Sequence, residues 1–391
     1  MVELLREITR PKLHRGLEDV LVDWTELSRV NGEAGELLYR GYPIESLATD
    51  ATFEEILYLL WYGELPDRES LDDFSDQLTA ERSIDDDLLE LLRTLAAAGE
   101  QPMFALRTAV SMLSASDPES GADPEDLDAT LRKGRRITAT IPTILAAFDR
   151  FRRGLDPVEP RPDLDYGANF LYMLEGTEPT DSAAETFDMA LTLHADHGLN
   201  ASTFTTLVIV STYADVYSGV TGGIGALSGP WHGGANQDVM RLLVEIDESD
   251  TDPIAWVRDA LEDGRRIPGW GHRVYTVKDP RANILEDRSR ILADETGESK
   301  WHEYTTTIEQ YLTDDVGLPE KGIAPNVDFY SGPVYDQLGI PIDLYTPIFA
   351  MSRVGGWVGH VLEYQADNRL IRPRAQYVGP ERRAVVPIED R

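Results

Sequence analysis

Two histidines and one aspartate, each in its own glycine-marked segment, are the residues of this sequence best suited to chemistry. His232 lies in SGPWHGGANQ, His272 in PGWGHRVYTVKDPRA and Asp328 in PNVDFYSG, and the chain has only seven histidines. A neutral imidazole donates from one ring nitrogen and accepts at the other, and a carboxylate can accept a proton. Glycines beside the histidines let the backbone approach a ligand closely. The set favours carbon–carbon bond formation in which a thioester is enolised and a second carbonyl is polarised.

These segments, together with HADHGLNAST around His194 and His197, resemble the citrate synthase family. The resemblance runs nearly end to end, from GLEDVLVDWTEL and YRGYPIESLA to SRVGGWVGHVLEY and RLIRPRAQYVG. It implies a mainly α fold with the active site in a cleft between two helical domains. The large domain would comprise residues 1–232 and 337–391, and the small domain residues 233–336.

The resemblance also implies a role for each residue. Asp328 would remove a proton from the methyl group of acetyl-CoA, His232 would hydrogen-bond the thioester oxygen, and His272 would polarise the ketone of oxaloacetate. Hydrolysis of citryl-CoA would release citrate and CoA, so acetyl-CoA is a co-substrate and no tightly bound cofactor is expected. The residues expected to hold oxaloacetate are His197, Arg281, Arg353 and Arg372, with Phe349 near the acyl group. The segment expected at the CoA adenine is Arg266, Ile267, Pro268, Gly269 and Trp270.

Plainer structural explanations compete with several of these assignments. His194 and His197 lie three residues apart and would share a face of a helix, as metal ligands can. No third ligand cluster is visible, so we expect no metal and a structural role for His194. Phe349 in YTPIFAMSR could equally be core, and any one of 31 Arg could be an ordinary ion-pair partner. Bidentate guanidinium groups are nevertheless the side chains that recognise dicarboxylates best.

Two tryptophans depart from the usual family pattern beside the proposed catalytic residues. Trp231 precedes His232 where Leu is common, and Trp270 stands where Phe or Tyr is common. Each adds a large rigid ring that could reshape the acyl pocket or the CoA loop. The alternative function is therefore 2-methylcitrate synthase acting on propionyl-CoA, or dual specificity. A noncatalytic CoA-responsive protein is a third hypothesis, which the intact set of His232, His272 and Asp328 disfavours.

Helices must position these residues, because the dominant period of the sequence is helical. The segment Thr52-Phe-Glu-Glu55 is typical of a capping box, and Gly63 stands where the following helix should end. Long alternating β patterns are almost missing, and acidic Pro-rich stretches at 116–128 and 155–165 indicate surface loops. Further apolar windows at helical spacing lie at 105–112, 137–151, 183–193, 200–213 and 254–261.

Composition narrows the class of protein. Lys and Arg number 36 against 70 Asp and Glu, giving a net charge of −34 and an acidic chain unsuited to binding nucleic acid. Lys is scarce, at 5 residues, and so acidic a surface predicts salt adaptation, with an ordinary acidic enzyme as the alternative. Cysteine is absent, which excludes thiolate nucleophiles and disulfides. With no basic start segment and no long apolar run, a cytoplasmic protein without membrane contact is expected, and the resemblance implies a homodimer.

Overall fold

Helices provide almost all of the regular structure, as the period of the sequence predicts. The computed structural model describes residues 13–18, 20–380 and 382–391. The mainly α fold class is confirmed. The α-helices of the described residues are, in chain order, α1 (Ile44–Asp50), α2 (Phe53–Tyr62), α3 (Arg68–Ala80), α4 (Asp86–Ala97), α5 (Pro102–Ser116), α6 (Leu127–Arg152), α7 (Tyr166–Glu175), α8 (Asp181–His194), α9 (Ala201–Val210), α10 (Val216–Leu227), α11 (Ala235–Glu248), α12 (Pro253–Glu262), α13 (Pro280–Thr296), α14 (Lys300–Gln310), α15 (Asp328–Gln337) and α16 (Tyr345–Ala366).

A small antiparallel sheet precedes the helices. Its strands β1 (Ser28–Asn31), β2 (Glu36–Tyr39) and β3 (Tyr42–Pro43) lie in the order β1-β2-β3. Tyr39 of β2 is fully buried, and its hydroxyl donates to the backbone oxygen of Asp196 at 2.9 Å. The sheet therefore supports the segment that follows α8, where His197 lies.

The helix boundaries follow from local sequence signals. Thr52 and Glu55 form the capping box at the start of α2, and Gly63 ends that helix in the left-handed region with φ 92°. The two acidic stretches lie between α5 and α6 and between α6 and α7, as predicted. The apolar window at 200–213 is longer than the helix it predicts, because α9 ends at Val210.

Helix α16 is the central element of the core and is buried along most of its length. Glycines allow this close packing: a Cβ on Gly356 would lie 2.4 Å from the carbonyl oxygen of Ala195, and one on Gly359 would lie 2.6 Å from Leu27 Cδ2. Helix α16 packs against the chain directly beside His194. This close contact fixes the positions of Phe349 and Arg353, both on α16, relative to that segment.

Two expectations concern membrane contact and a targeting segment. Among the described residues, no helix is both long and apolar enough to cross a membrane. Residues 1–12, on which the expectation of no targeting segment rests, lie outside the described residues.

Candidate active site

His232 lies in the turn between α10 and α11, and tight packing fixes that turn. A Cβ on the next residue, Gly233, would lie 2.4 Å from the carbonyl oxygen of Leu227 and 2.9 Å from Thr346 Cγ2, so only glycine fits. The backbone N–H of His232 donates to the Gly229 carbonyl at 2.9 Å. The imidazole is therefore held on a rigid turn directed towards the start of α9.

The tautomer of His232 follows from its hydrogen bonds. Its Nε2 lies 3.2 Å from the backbone nitrogen of Ser202 and 2.8 Å from the Ser202 hydroxyl. A backbone N–H can only donate, so Nε2 is the acceptor and Nδ1 carries the proton of the neutral ring. Burial, reinforced by the charge of Arg353, lowers the pKa of His232 to about 4. The ring is neutral at pH 7 and offers Nδ1–H as a donor.

His272 has the opposite arrangement. Its Nδ1 accepts from the backbone N–H groups of Val274 at 3.0 Å and Tyr275 at 3.1 Å. The proton of the neutral ring is therefore on Nε2. Burial, reinforced by the charge of Arg281, lowers the pKa of His272 to about 4. His272 is a second neutral donor, presented through the other ring nitrogen.

Asp328 is the first residue of α15, and Asn326 connects it to the His272 segment. The backbone N–H of Asp328 donates to Asn326 Oδ1 at 3.0 Å, while Asn326 Nδ2 donates to the Gly271 carbonyl at 2.8 Å. Burial raises the pKa of Asp328 to about 6, opposed by the positive charges of Arg281 and Arg353. The carboxylate is thus mostly ionised at neutral pH but more basic than an exposed aspartate.

Arg353 is a buried cation in need of an anion. Its side chain is 1% exposed, its Nε donates to the His194 carbonyl at 2.7 Å, and its guanidinium lies 4.6 Å from the centre of the Phe349 ring. Within the described part of the chain it forms no ion pair. Burial lowers the pKa of Arg353 to about 10, since no contacting carboxylate offsets the desolvation. A carboxylate-bearing ligand would supply the missing charge.

Arg281 is equally buried but already paired. Its Nε and Nη2 donate to the two carboxylate oxygens of Asp279 at 3.0 and 2.7 Å, and its Nη1 lies 3.4 Å from the Leu193 carbonyl. Its charge nevertheless reaches His197, His272 and Asp328, because it contributes to the pKa of each. Arg281 and Arg353 together create a positive field in which the proposed catalytic groups lie.

His197 joins the His272 side of the site. Its ring stands edge-to-face against His272, with centroids 5.3 Å apart, and its Nε2 lies 3.3 Å from the Tyr275 hydroxyl. Burial, together with the charges of Arg281 and His272, places the pKa of His197 well below its ordinary value. The expectation that His194 and His197 share a helix face is wrong, because α8 ends at His194. His194 is fully buried.

The proposed CoA loop, residues 266–270, packs against the start of α15. Gly269 has φ 76°, and a Cβ there would lie 2.8 Å from Phe329 Cα. Trp270 stacks edge-to-face on Phe329 with centroids 5.9 Å apart, and its backbone forms a β-bridge with Pro325. Ile267 is buried, and the outermost residue, Arg266, is exposed. The loop is therefore built into the wall that carries Asp328.

Three residues singled out in the sequence lie beside this cluster or outside it. Arg372 is exposed on the segment after α16 and forms no hydrogen bond or ion pair with any described residue, so the chain alone does not bring it into this cluster. Trp231 is fully exposed beside His232. Phe349 is 8% exposed and lies between Arg353 and His194, whose ring centre is 4.9 Å away, so it is packed as a core residue beside the site.

Sequence reasoning missed the residues that orient the proposed catalytic groups. Asn326 could have been found, because an Asn side chain that accepts from the backbone N–H two residues on is a recognised turn motif. Asp279 could also have been found as the N-cap of α13, where its side chain accepts from Arg281 N–H. Ser202 and Tyr275 gave no signal, since the contacts by which they fix the two tautomers come from backbone amides, which every residue except proline possesses.

Comparisons with known proteins agree with this architecture. The family model described as citrate synthase, C-terminal domain, matches residues 16–374. A citrate synthase of Haloferax volcanii is 57% identical over 97% of this chain and 99% of its own length. A 2-methylcitrate synthase of Corynebacterium glutamicum is 40% identical over 98% of this chain and 99% of its own. A ternary complex of carboxymethyl coenzyme A and oxaloacetate with citrate synthase from Thermoplasma acidophilum has a TM-score of 0.89, 35% identity, and coverage of 97% of this chain and 99% of that one.

Proposed function

This chain belongs to the citrate synthase family, and we propose that Asp328, His232 and His272 carry out its condensation of acetyl-CoA with oxaloacetate. The observation that supports this assignment best is the pair of opposite tautomers. One neutral imidazole offers Nδ1–H and the other offers Nε2–H. The reaction needs two hydrogen-bond donors, because negative charge develops first on a thioester oxygen and then on a ketone oxygen.

The first step is enolisation of acetyl-CoA. Asp328 takes a proton from the methyl group while Nδ1–H of His232 hydrogen-bonds the thioester oxygen. A proton beside a thioester is far less acidic than a carboxylic acid, so the enol must be stabilised as it forms. The raised pKa of Asp328 makes it a stronger base than an exposed aspartate. A neutral His232 suits this task, because it donates a hydrogen bond to the thioester oxygen and does not protonate the Asp328 carboxylate.

The second step joins the two substrates. The enol carbon attacks the ketone carbon of oxaloacetate, the thioester carbonyl is restored, and Nε2–H of His272 stabilises the oxygen that gains the electron pair. That oxygen takes up a proton, which balances the one that Asp328 removed, and citryl-CoA results. Water then adds to the thioester carbon of citryl-CoA, the carbon–sulfur bond breaks, and citrate and CoA leave. Closure of a small domain over a large one would exclude bulk water until the new carbon–carbon bond has formed. We propose residues 1–232 with 337–391, and 233–336, as those domains.

Arg353, Arg281 and His197 are proposed to hold oxaloacetate. Arg353 has no ionic partner among the described residues and gains most from a carboxylate. Arg281 keeps Asp279 as a partner, so it contributes its remaining Nη1 and its field. His197 lies against His272 and can donate or accept beside the same ligand. Phe349 shapes this pocket from the acyl side, and no metal or tightly bound cofactor takes part in the proposal.

Arg372 and the homodimer are proposed together. The segment after α16 exposes Leu370, Tyr377 and Val378, large apolar side chains that a second copy could cover. Such an interface could also direct Arg372 to a substrate carboxylate, which the isolated chain does not do. Arg266 to Trp270 are proposed to contact the CoA adenine.

The setting of the enzyme is proposed from its composition and reaction. We propose that citrate formation from oxaloacetate serves the tricarboxylic acid cycle, and that the protein acts in the cytoplasm with neither nucleic acid nor membrane as a partner. The charge of −34 supports a salt-adapted enzyme whose surface repulsion is reduced by concentrated electrolyte.

Thiol release tests this proposal directly. The protein has no cysteine, so all thiol detected comes from CoA. Acetyl-CoA and propionyl-CoA are supplied separately, with and without oxaloacetate, at low and at molar KCl. We expect oxaloacetate-dependent release that is faster with acetyl-CoA. Absence of release at every salt concentration would refute the assignment.

The alternative, 2-methylcitrate synthase, remains distinguishable by the same assay. One methylene in a pocket is worth only about 1–3 kcal/mol, so the shared motifs do not decide between the two acyl groups. The 40% identity of the 2-methylcitrate relative, below the 57% of the citrate synthase, favours acetyl-CoA. A higher kcat/KM for propionyl-CoA would reverse this choice.

A further inference from the structure

The hairpin that β1 and β2 form reaches the segments of both histidines proposed to contact oxaloacetate. Ser28 and Tyr39 are paired at the base of this hairpin, and residues 32–35 form its tip. The side-chain oxygen of Asn31 accepts from the backbone N–H of Ala34 at 3.1 Å, which closes the turn. The base and the tip are thus the two ends of one short, internally bonded element.

The base of the hairpin holds the backbone on either side of His197. The hydroxyl of Ser28 donates to the carboxylate of Asp196, and the backbone N–H of Gly198 donates to the same hydroxyl at 3.0 Å. The N–H of Gly198 also lies 3.1 Å from Asp196 Oδ2. The Tyr39 hydroxyl contacts the backbone N–H and the carbonyl oxygen of Asp196, at 3.1 and 2.9 Å. His197 therefore stands between two residues that the hairpin binds.

The carboxylate of Asp196 is tied to the core as well as to the hairpin. It is fully buried, and its Oδ1 lies 3.1 Å from Nε2 of His360 on α16. An ionised carboxylate only accepts, so His360 donates through Nε2. Hydrogen bonds to a buried carboxylate are among the stronger ones in proteins. The Ser28 hydroxyl, the Gly198 amide and His360 together hold this side chain next to His197.

The tip of the hairpin contacts the segment that sets the tautomer of His272. The backbone N–H of Thr276 donates to the Gly32 carbonyl at 3.1 Å. A Cβ on Gly32 would lie 1.9 Å from the carbonyl oxygen of Val274, so only glycine fits there. Val274 and Tyr275 supply the backbone N–H groups that contact Nδ1 of His272. The tip therefore lies directly against the stretch that holds the His272 ring.

We propose that the β1–β2 hairpin is a positioning element for the oxaloacetate site, in which Ser28 at its base orients His197 and its tip orients His272. The inference rests on the proposed function, in which His197 holds oxaloacetate and His272 polarises its ketone. Because one element contacts both segments, it sets the separation of the two rings, whose centroids are 5.3 Å apart. In the domain division proposed above, the base contacts lie within the large domain, and the tip contact joins the large domain to the small one.

Ser28→Ala tests the base. The substitution removes one donor to Asp196 and leaves Gly198 and His360 in place. We expect KM for oxaloacetate to rise by about five- to tenfold, with kcat and KM for acetyl-CoA within about twofold, because His197 holds only one of the substrates. Ser28→Thr keeps the hydroxyl and should bring KM for oxaloacetate back close to the wild-type value. Steady-state thiol release with each substrate varied in turn measures these quantities.

Ser75→Ala is the matched control for the base. Ser75, on α3, is half-buried like Ser28, and its hydroxyl also donates to a buried carboxylate, that of Glu54. We expect Ser75→Ala to lower thermal stability and to leave KM for both substrates unchanged. An unchanged KM for oxaloacetate in Ser28→Ala, or an equal rise in Ser75→Ala, would overturn the role of the base.

Gly35→Ala tests the tip. Gly35 has φ 63°, and a Cβ there would lie 2.9 Å from Val277 Cγ2, so alanine forces the tip and the His272 segment apart. We expect kcat to fall by about tenfold, since a displaced His272 stabilises the ketone oxygen less well in the transition state. Gly63→Ala is the control, because Gly63 also has a positive φ, 92°, but no described atom lies within 4 Å of its Cβ position. Equal falls in kcat in both variants, or none in Gly35→Ala, would overturn the role of the tip.

The double variant, Ser28→Ala with Gly35→Ala, tests whether one element links the two ends. Two independent supports would multiply their losses in kcat/KM for oxaloacetate. We expect a combined loss at least about threefold smaller than that product, because either single change already disturbs the separation of the rings. A loss equal to the product would overturn the link. Absence of oxaloacetate-dependent thiol release in the wild-type protein would instead refute the proposed function, and that result is distinct.

Discussion

The His232 turn and the His272 segment each hold a neutral imidazole in one tautomer, but they do so through different ring nitrogens. In the first, one backbone amide from the start of α9 contacts Nε2; in the second, two amides from the residues just after His272 contact Nδ1. The first contact joins residues 30 positions apart, and the second is local. Both rings are partly buried, and both have a pKa of about 4.

This difference teaches that the direction of donation is set by the backbone. A side-chain partner could rotate or exchange roles, but a peptide N–H always donates. The protein therefore offers two neutral donors, which we propose act on two carbonyl oxygens, and protonation of either ring is not required at neutral pH. The local fixing of His272 should survive motion of neighbouring helices, whereas that of His232 depends on the docking of α9 against the turn.

Asp328→Asn should produce the largest effect, because in the proposed mechanism both histidines act after Asp328 has begun the proton transfer. The substitution keeps the shape but removes the base. We expect kcat to fall by about a thousandfold, within the range known for a positioned general base, while oxaloacetate affinity stays within a few-fold. Steady-state turnover and oxaloacetate titration by calorimetry measure the two quantities. Turnover close to wild type would remove Asp328 from the mechanism.

Exchanging each histidine for Asn and for Gln sharpens the comparison. The amide nitrogen of Asn comes close to the position of Nδ1, and that of Gln close to Nε2. We expect His232→Asn to retain about tenfold more activity than His232→Gln, and His272→Gln about tenfold more than His272→Asn, since one hydrogen bond to developing charge is at stake. All four variants should fall well below wild type. The same order of Asn and Gln at both positions would contradict opposite tautomers.

The sequence predicted the residue types of the site far better than their orientation. Glycine-marked segments singled out His232, His272 and Asp328, whose catalytic roles stay predictions, and capping signals located α2 to within its ends. The partners that fix the tautomers were out of reach, because a backbone amide has no sequence signature. The same limit applies to Arg281 and Arg353, which the sequence does not distinguish. In the structure, Asp279 pairs with Arg281, whereas Arg353 contacts a backbone carbonyl and an aromatic ring.

Arg353→Lys tests the difference between those two arginines. Lysine replaces a planar fork by a point charge that cannot both stack on Phe349 and bind a carboxylate at two points. We expect KM for oxaloacetate to rise by about tenfold to a hundredfold with KM for acetyl-CoA nearly unchanged. Arg150→Lys, on α6, is a suitable control, because that side chain donates to the carbonyls of Asp156 and Leu174 away from the site. Equal effects on both substrates would count against a carboxylate role.

The smallest effect expected is on stability, and it separates the aspartate from the histidines. Asp328 has a folded pKa of about 6, above its ordinary value of 3.8, so the protonated form stabilises the fold below about pH 4 and this contribution is lost as pH rises through 6. Asp328→Asn should therefore raise Tm by a few degrees at pH 8 and by much less at pH 4 to 5. Calorimetric scans at several pH values, in constant molar KCl, measure the difference. The kcat/KM of the wild-type protein should decrease as the pH falls below about 6, where Asp328 becomes protonated. No second inflection from a histidine should appear above pH 5. If Asp328→Asn instead stabilised the protein more at low pH than at high pH, the fold would favour the charged carboxylate. Burial would then not be the dominant influence on the pKa of Asp328.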